Sequence, residues 1–271
     1  MDYMEPACCF DASAYTGLPD AAPTRESLNV PEIIKELDAL YETGRETEAG
    51  VFLEAWRERA AASGDWRAEL SLLSELMGHY RRDRNEEKGL AAVYAGLEII
   101  RERRLAHTVS GATVTLNAAT TLKAFGRARE ALEHFTHVSR VYSRSLDPND
   151  YRFAGLYNNM ALSYGDLGEY GRAEGLFRRA MEIIARCDSP ENELAVTLCN
   201  LAELYDRQDP EDERIGECME AAWERLNAPG LRRDGYHAFT ISKCAPSFDH
   251  FGYFFYAKEL KERAEGIYEG T

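Results

Sequence analysis

Positive charge is what this chain has too little of. Its 32 lysines and arginines stand against 47 aspartates and glutamates, a net charge of −15. Phosphate binding needs concentrated positive charge, so the balance argues against a nucleic-acid partner. A basic or neutral partner suits it better, with most of the acidity assigned to solvated helix faces. No run approaches the ~18 apolar residues of a membrane span. The opening Met1-Asp2-Tyr3-Met4-Glu5 lacks the basic and apolar regions of a secretory signal. A soluble, cytoplasmic protein with no membrane partner is expected. Cysteine is sparse and scattered, at Cys8, Cys9, Cys187, Cys199, Cys218 and Cys244, unlike the dense framework of a small secreted domain, so free thiols are expected. Catalytic signatures are missing as well. There is no GxxxxGK, no GxGxxG after a strand, no HExxH and no GxSxG, and neither an enzyme nor a cofactor is expected.

What the chain does have is a returning pair of small residues around a turn. In its clearest copy, residues 154–184, Ala161, Tyr164, Gly168, Ala173, Phe177 and Ala180 follow one another at helical spacing. Aligning the turns gives Gly44, Arg84, Gly126, Gly168, Asp209 and Gly252, a period close to 42 residues. A fixed period identifies a stacked repeat, and glycine suits a turn that needs positive φ. At the two exceptions, Asn85 is expected to take the left-handed conformation and Pro210 to open the next helix. Apolar stripes mark each helix pair, as in Ile33, Leu37 and Leu40, or Ala131, Phe135 and Val138. The second helices continue as Ala173, Phe177 and Ala180, and as Ala257, Lys261 and Ala264. In the fifth unit the register holds only if the turn carries one extra residue, giving Ile215, Met219 and Ala222.

This pattern resembles the tetratricopeptide repeat, in a long-period form similar to the repeats of kinesin light chains and of Gram-positive peptide-sensing regulators. The resemblance implies an all-α protein, a right-handed α-solenoid of about six helix-turn-helix units over residues 31–271. The units fall at about 31–64, 66–105, 109–146, 151–187, 191–228 and 235–269. Residues 1–30, with Pro6, Pro19, Pro23 and Gly17 and no helical periodicity, read as an extended segment that either straps the solenoid or trails from it. Pro246 lies inside the first helix of the last unit, where a break or a cost of ~3 kcal/mol is expected.

The resemblance also implies a concave groove lined by the first helices, where a protein or an extended peptide binds. Asn117, Asn159 and Asn200 occupy one equivalent position in three successive units. Asparagine is a poor helix-interior residue unless its amide is used, and that amide can pair with peptide backbone or bond a neighbouring helix. Glu75, Arg81, Lys123, Asn158, Glu203 and Lys243 flank them on the same inferred wall, with Ser71, Ser74, Thr113 and Thr120. Arg81, Lys123 and Asn117 supply part of a carboxylate clamp of the kind some tetratricopeptide domains use, and Glu75 opposes it. No metal is expected, since Cys8-Cys9 lacks zinc-ligand spacing and Cys244 or His250 would have to be brought to it.

A scaffold that binds protein or peptide is the function these features imply. Two alternatives remain beside it. One is a regulatory sensor responding to a small peptide. The other is self-association, as a homodimer, through a last unit that packs eight aromatics between Tyr236 and Tyr256.

Overall fold

The structure is a computed structural model that describes residues 27–270, and the strap reading of the N-terminal segment, with Cys8 and Cys9, lies outside them. Twelve helices and no strand occur among the described residues. They fall into two compact bodies that divide between Pro148 and Asn149. The first holds α1 (Val30–Glu42), α2 (Glu46–Ser63), α3 (Trp66–Arg82), α4 (Glu86–Glu102), α5 (Val109–Ala124) and α6 (Ala128–Ser145). The second holds α7 (Arg152–Asp166), α8 (Tyr170–Ile184), α9 (Glu191–Gln208), α10 (Arg214–Leu226), α11 (Gly235–His250) and α12 (Phe254–Glu269). Each body is three helical hairpins stacked on one another.

Local chemistry starts and ends these helices where the sequence changes character. Asp65, Asn85, Thr108 and Asp234 cap α3, α4, α5 and α11 through side-chain oxygens that accept from Ala68, Lys88, Gly111 and His237 backbone N–H groups. Asp65 does more, because its second oxygen accepts from Leu28 N at 2.9 Å and ties the entering chain to α3. Inside the hairpins, Gly44, Gly126, Gly168 and Gly252 take φ between 68° and 83°, the left-handed geometry that closes a helix end without a Cβ clash. In the second hairpin Arg84 itself adopts that geometry, at φ 53°. Asn85 instead has φ −89° and caps α4, because its short carbonyl side chain serves better as an acceptor for the next helix. Pro210 does not open a helix either: α10 begins at Arg214, after Asp212 accepts from the Arg214 backbone N–H at 2.9 Å.

The apolar stripes meet in the cores. In the first body Leu37, Leu53, Leu70, Met77, Leu122 and Phe135 are fully buried, and in the second Phe177, Met219 and Phe248 are. Small residues set how closely the helices approach: a Cβ on Gly96 of α4 would stand 2.8 Å from Met77 Cε of α3. Ile215, Met219 and Ala222 are all buried, in the register the extra turn residue requires. In α12 the central place between Ala257 and Ala264 belongs to Leu260, which is fully buried, and Lys261 is exposed. Burying an unpaired ammonium would cost far more than rotating the helix slightly to use leucine. The helix around Pro246 is not broken: α11 runs unbroken from Gly235 to His250. Pro246 lies on its exposed face, where water can satisfy the carbonyl that loses its donor.

Candidate functional site

The candidate residues divide between the bodies. Asn117, Glu75, Arg81 and Lys123 lie in the first, and Asn158, Asn159, Asn200, Glu203 and Lys243 in the second.

In the first body the wall is built from α3 and α5. Ser71, Ser74, Glu75 and Arg81 recur at three-, four- and seven-residue spacing on one face of α3. Asn117 of α5 donates through Nδ2 to Ser74 Oγ at 2.8 Å, and Arg81 reaches Thr121 Oγ1 at 2.7 Å and the Asn117 carbonyl at 3.5 Å. These bonds join neighbouring first helices. Thr113, Thr115, Thr120 and Thr121 also donate to carbonyls four residues earlier, so hydroxyls in the middle of α5 are satisfied by the helix itself. Asn117 Oδ1 alone of these groups has no hydrogen-bond partner. Lys123 is buried, and Glu75 and Arg81 are half-buried. Desolvation, reinforced by Asp38, pushes the Glu75 carboxyl up to about 7 against the pull of Arg82 and Arg81.

In the second body the corresponding helices are α7, α9 and α11. Asn158 is fully buried, and neither atom of its amide has a hydrogen-bond partner. Asn159, also buried, donates to the Gly155 carbonyl of its own helix at 3.0 Å. Asn200 is buried on α9. Glu203, 5% exposed, accepts from Ser247 Oγ of α11 at 2.9 Å through one carboxylate oxygen, while Oε2 has no partner. Its pKa is raised, chiefly by burial, against the lowering effects of the Ser247 hydrogen bond, Arg207 and His250. Lys243 is exposed, with Nζ 5.5 Å from the Phe239 ring centroid. Ser247 is a site residue that sequence reasoning did not find. The signal was present, since it stands one turn after Lys243 on α11. A second missed contact joins Asn192 Oδ1 of α9 to His237 Nδ1 of α11 at 2.9 Å.

A regularity in the sequence links these residues. Glu75 stands nine residues before its turn at Arg84, as Asn117, Asn159, Asn200 and Lys243 do before theirs. The asparagine position is thus a general polar position of the first helices, filled by glutamate, asparagine or lysine. Each body also carries a tyrosine between consecutive hairpins. Tyr80 of α3 donates to Glu54 of α2, which accepts from Lys88 of α4 at 2.7 Å. Tyr205 of α9 likewise donates to Glu174 of α8 at 3.0 Å, which Arg214 of α10 reaches at 3.5 Å.

The aromatics of the last unit form a ring cluster. Trp223 and Tyr256 stack at 4.0 Å, and Phe248 and Tyr253 meet edge-on around them. Phe254 and Phe255 point away from it, 64% and 89% exposed. Cys199, Cys218 and Cys244 are buried and unbridged and Cys187 is exposed and unbridged. Among the described residues no group of three or more histidines, cysteines or acids is placed to hold a metal. No described helix is long and apolar enough to cross a membrane.

Helical hairpins of about 42 residues, small residues at the hairpin contacts and a glycine or its substitute at each turn define a tetratricopeptide-like helical solenoid. Comparison with known proteins agrees. Residues 152–214, from the start of α7 to the first residue of α10, match the tetratricopeptide repeat. Among solved structures, the nearly identical TPR-like repeats of a candidate kinesin light chain from Podosopora anserina align over 73% of this chain and 94% of theirs, with 19% identity and a TM-score of 0.51. BtubC (BKLC) from P. vanneervenii aligns over 90% of this chain and 92% of its own, with 19% identity and a TM-score of 0.52. No curated protein sequence matches the chain. Residues 152–214 thus carry the tetratricopeptide repeat, and the fold resembles that of kinesin light chain repeats.

Proposed function

We propose that this protein is a non-enzymatic scaffold that holds an extended segment of a partner protein, or a peptide, along the first-helix faces of its repeats. The observation that carries the reading is Asn158, a fully buried amide whose donor and acceptor are both unused. Leaving such a group unpaired costs ~1–3 kcal/mol. One donor beside one acceptor is also the complement of one residue of extended main chain. Asn159 and Asn200 extend the polar row in the same body, and Asn117 with Arg81, Lys123 and Glu75 forms its counterpart in the first. Affinity would come from main-chain pairing and specificity from the charged neighbours.

The test uses 12-residue peptides selected against the full-length chain from a random displayed library. Replacing Asn158, Asn159 and Asn200 together with alanine is expected to weaken the selected peptides at least about tenfold, equivalent to about 1.4 kcal/mol, with helicity retained. Unchanged affinity in that variant and in Asn117→Ala would remove the first-helix faces from the interaction.

A second reading, self-association through the last hairpin, is favoured by one observation, the exposure of Phe254 and Phe255 at the start of α12. Sedimentation velocity of the full chain beside a Phe254→Ala/Phe255→Ala variant tests it. A monomer in both removes it.

A further inference from the structure

The groups left unfilled on the second body are unequal in kind. Asn158 offers one donor and one acceptor, whereas Glu203 offers only an acceptor, and a charged one. Its Oε1 is filled by the Ser247 hydroxyl, so Oε2 is the open position. A buried carboxylate oxygen without a partner is among the more costly arrangements a protein can hold, and a hydrogen-bonding cation is what offsets it most.

Among the described residues, the nearest basic groups do not supply that cation. Arg207, one turn along α9, pairs with Asp166 at 3.0 Å. His250 of α11 faces Asp206 at 3.3 Å. Lys243, one turn before Ser247, is exposed and lies over Phe239. Arg207 and His250 contribute positive potential near Glu203, and all three are engaged elsewhere. Resting on the peptide-binding reading above, we propose that Glu203 receives a lysine or arginine side chain of the bound segment, while Asn158 pairs with that segment's main chain.

The division of labour follows from the chemistry of the two groups. Asn158 fixes an extended backbone whatever its sequence, because every non-proline residue carries one N–H and one C=O. Glu203 selects among sequences, because a neutral donor fills Oε2 without cancelling its charge and an acidic side chain repels it. The net charge of −15 acts in the same direction, steering a basic segment toward the chain.

Three features of binding separate this proposal from the reading it rests on. The probes are four fluorescein-labelled pools of 12-residue peptides, random except for a central arginine, lysine, glutamine or glutamate, titrated against the full-length protein by fluorescence polarisation. The arginine and lysine pools are expected to bind about tenfold more tightly than the glutamate pool, with glutamine between. Glu203→Gln, nearly isosteric, should bring all four within about threefold of one another. Ser247→Ala, which frees Oε1 and keeps the charge, should preserve the basic preference. Equal binding of the glutamine and arginine pools, or a basic preference that survives Glu203→Gln, overturns the proposal. If the pools bind alike and the asparagine variant abolishes that binding, the peptide-binding reading stands and the assignment of Glu203 falls. If no pool binds the unsubstituted protein, both fall.

Discussion

The wall of α3 and α5 pairs its polar groups internally except for Asn117 Oδ1, and the wall of α7 and α9 leaves a whole amide and a carboxylate oxygen unpaired. On α5 the threonines bond their own helix, Asn117 bonds Ser74, and Arg81 crosses from α3 to Thr121. On α7 and α9, Asn158 keeps both amide atoms unbonded, and Glu203 keeps one carboxylate oxygen so. Both walls belong to first helices and both are polar. A hydroxyl can donate to the carbonyl four residues earlier within its own helix, whereas an amide or carboxylate oxygen needs a donor, which the helix interior does not spare. The kind of polar group a first helix carries therefore decides whether its hydrogen bonding is finished within the fold or left open to a ligand.

The largest effects should come from changing that balance directly. Asn158→Leu, with the same branching, removes two unpaired groups and is expected to stabilise the free protein by ~1–3 kcal/mol in urea unfolding while abolishing peptide binding. The same substitution at Asn117 strands the Ser74 hydroxyl and should be neutral or destabilising. If both changes shift stability in one direction by the same amount, the contrast between the walls is wrong.

A smaller effect should be visible in pH. Glu75, raised from its ordinary 4.5 to about 7, holds its proton more tightly in the folded chain than in the unfolded one. Its stabilising contribution is therefore complete below pH 4.5 and is lost as pH rises through about 7. Allowing for partial exposure, the unsubstituted protein should lose ~1–2 kcal/mol relative to Glu75→Gln between pH 4.5 and 8. Parallel stability curves for the two proteins would show that Glu75 titrates normally.

The smallest effects should be shared by the two bodies. Tyr80→Phe and Tyr205→Phe each remove one hydroxyl bonded to a charged carboxylate between hairpins. Each is expected to cost ~0.5–1.5 kcal/mol in the same unfolding measurement. A cost confined to one of them would mean that the tyrosine contacts are not equivalent.

Most of the helices were legible in the sequence, because turn glycines and apolar stripes act locally. The small-residue positions that let helices meet, such as Ala173 and Ala180, could be read off directly, and so could the extra residue before Ile215. The misreadings came where one residue type can serve two local ends. Asn85 suits both a left-handed turn and a helix cap, and its neighbour Arg84 took the turn. Lys261 fell on the expected stripe, but only packing could show that Leu260 fills the core there. Pro246 was read as a break because its effect depends on whether water reaches the carbonyl it leaves unpaired.

For the candidate site the division is sharper. The sequence by itself determined the helical repeat, its period near 42 and the polar position nine residues before each turn, since all three follow from residue type and spacing along one chain. Only the tertiary structure decided which polar groups of the first helices are satisfied. Asn117 finds Ser74 across 43 residues and Glu203 finds Ser247 across 44, while Asn158 finds nothing. Hydrogen bonds between helices depend on the rotation and offset of each helix against its neighbour, and those are set by the packing of the whole core rather than by any local pattern.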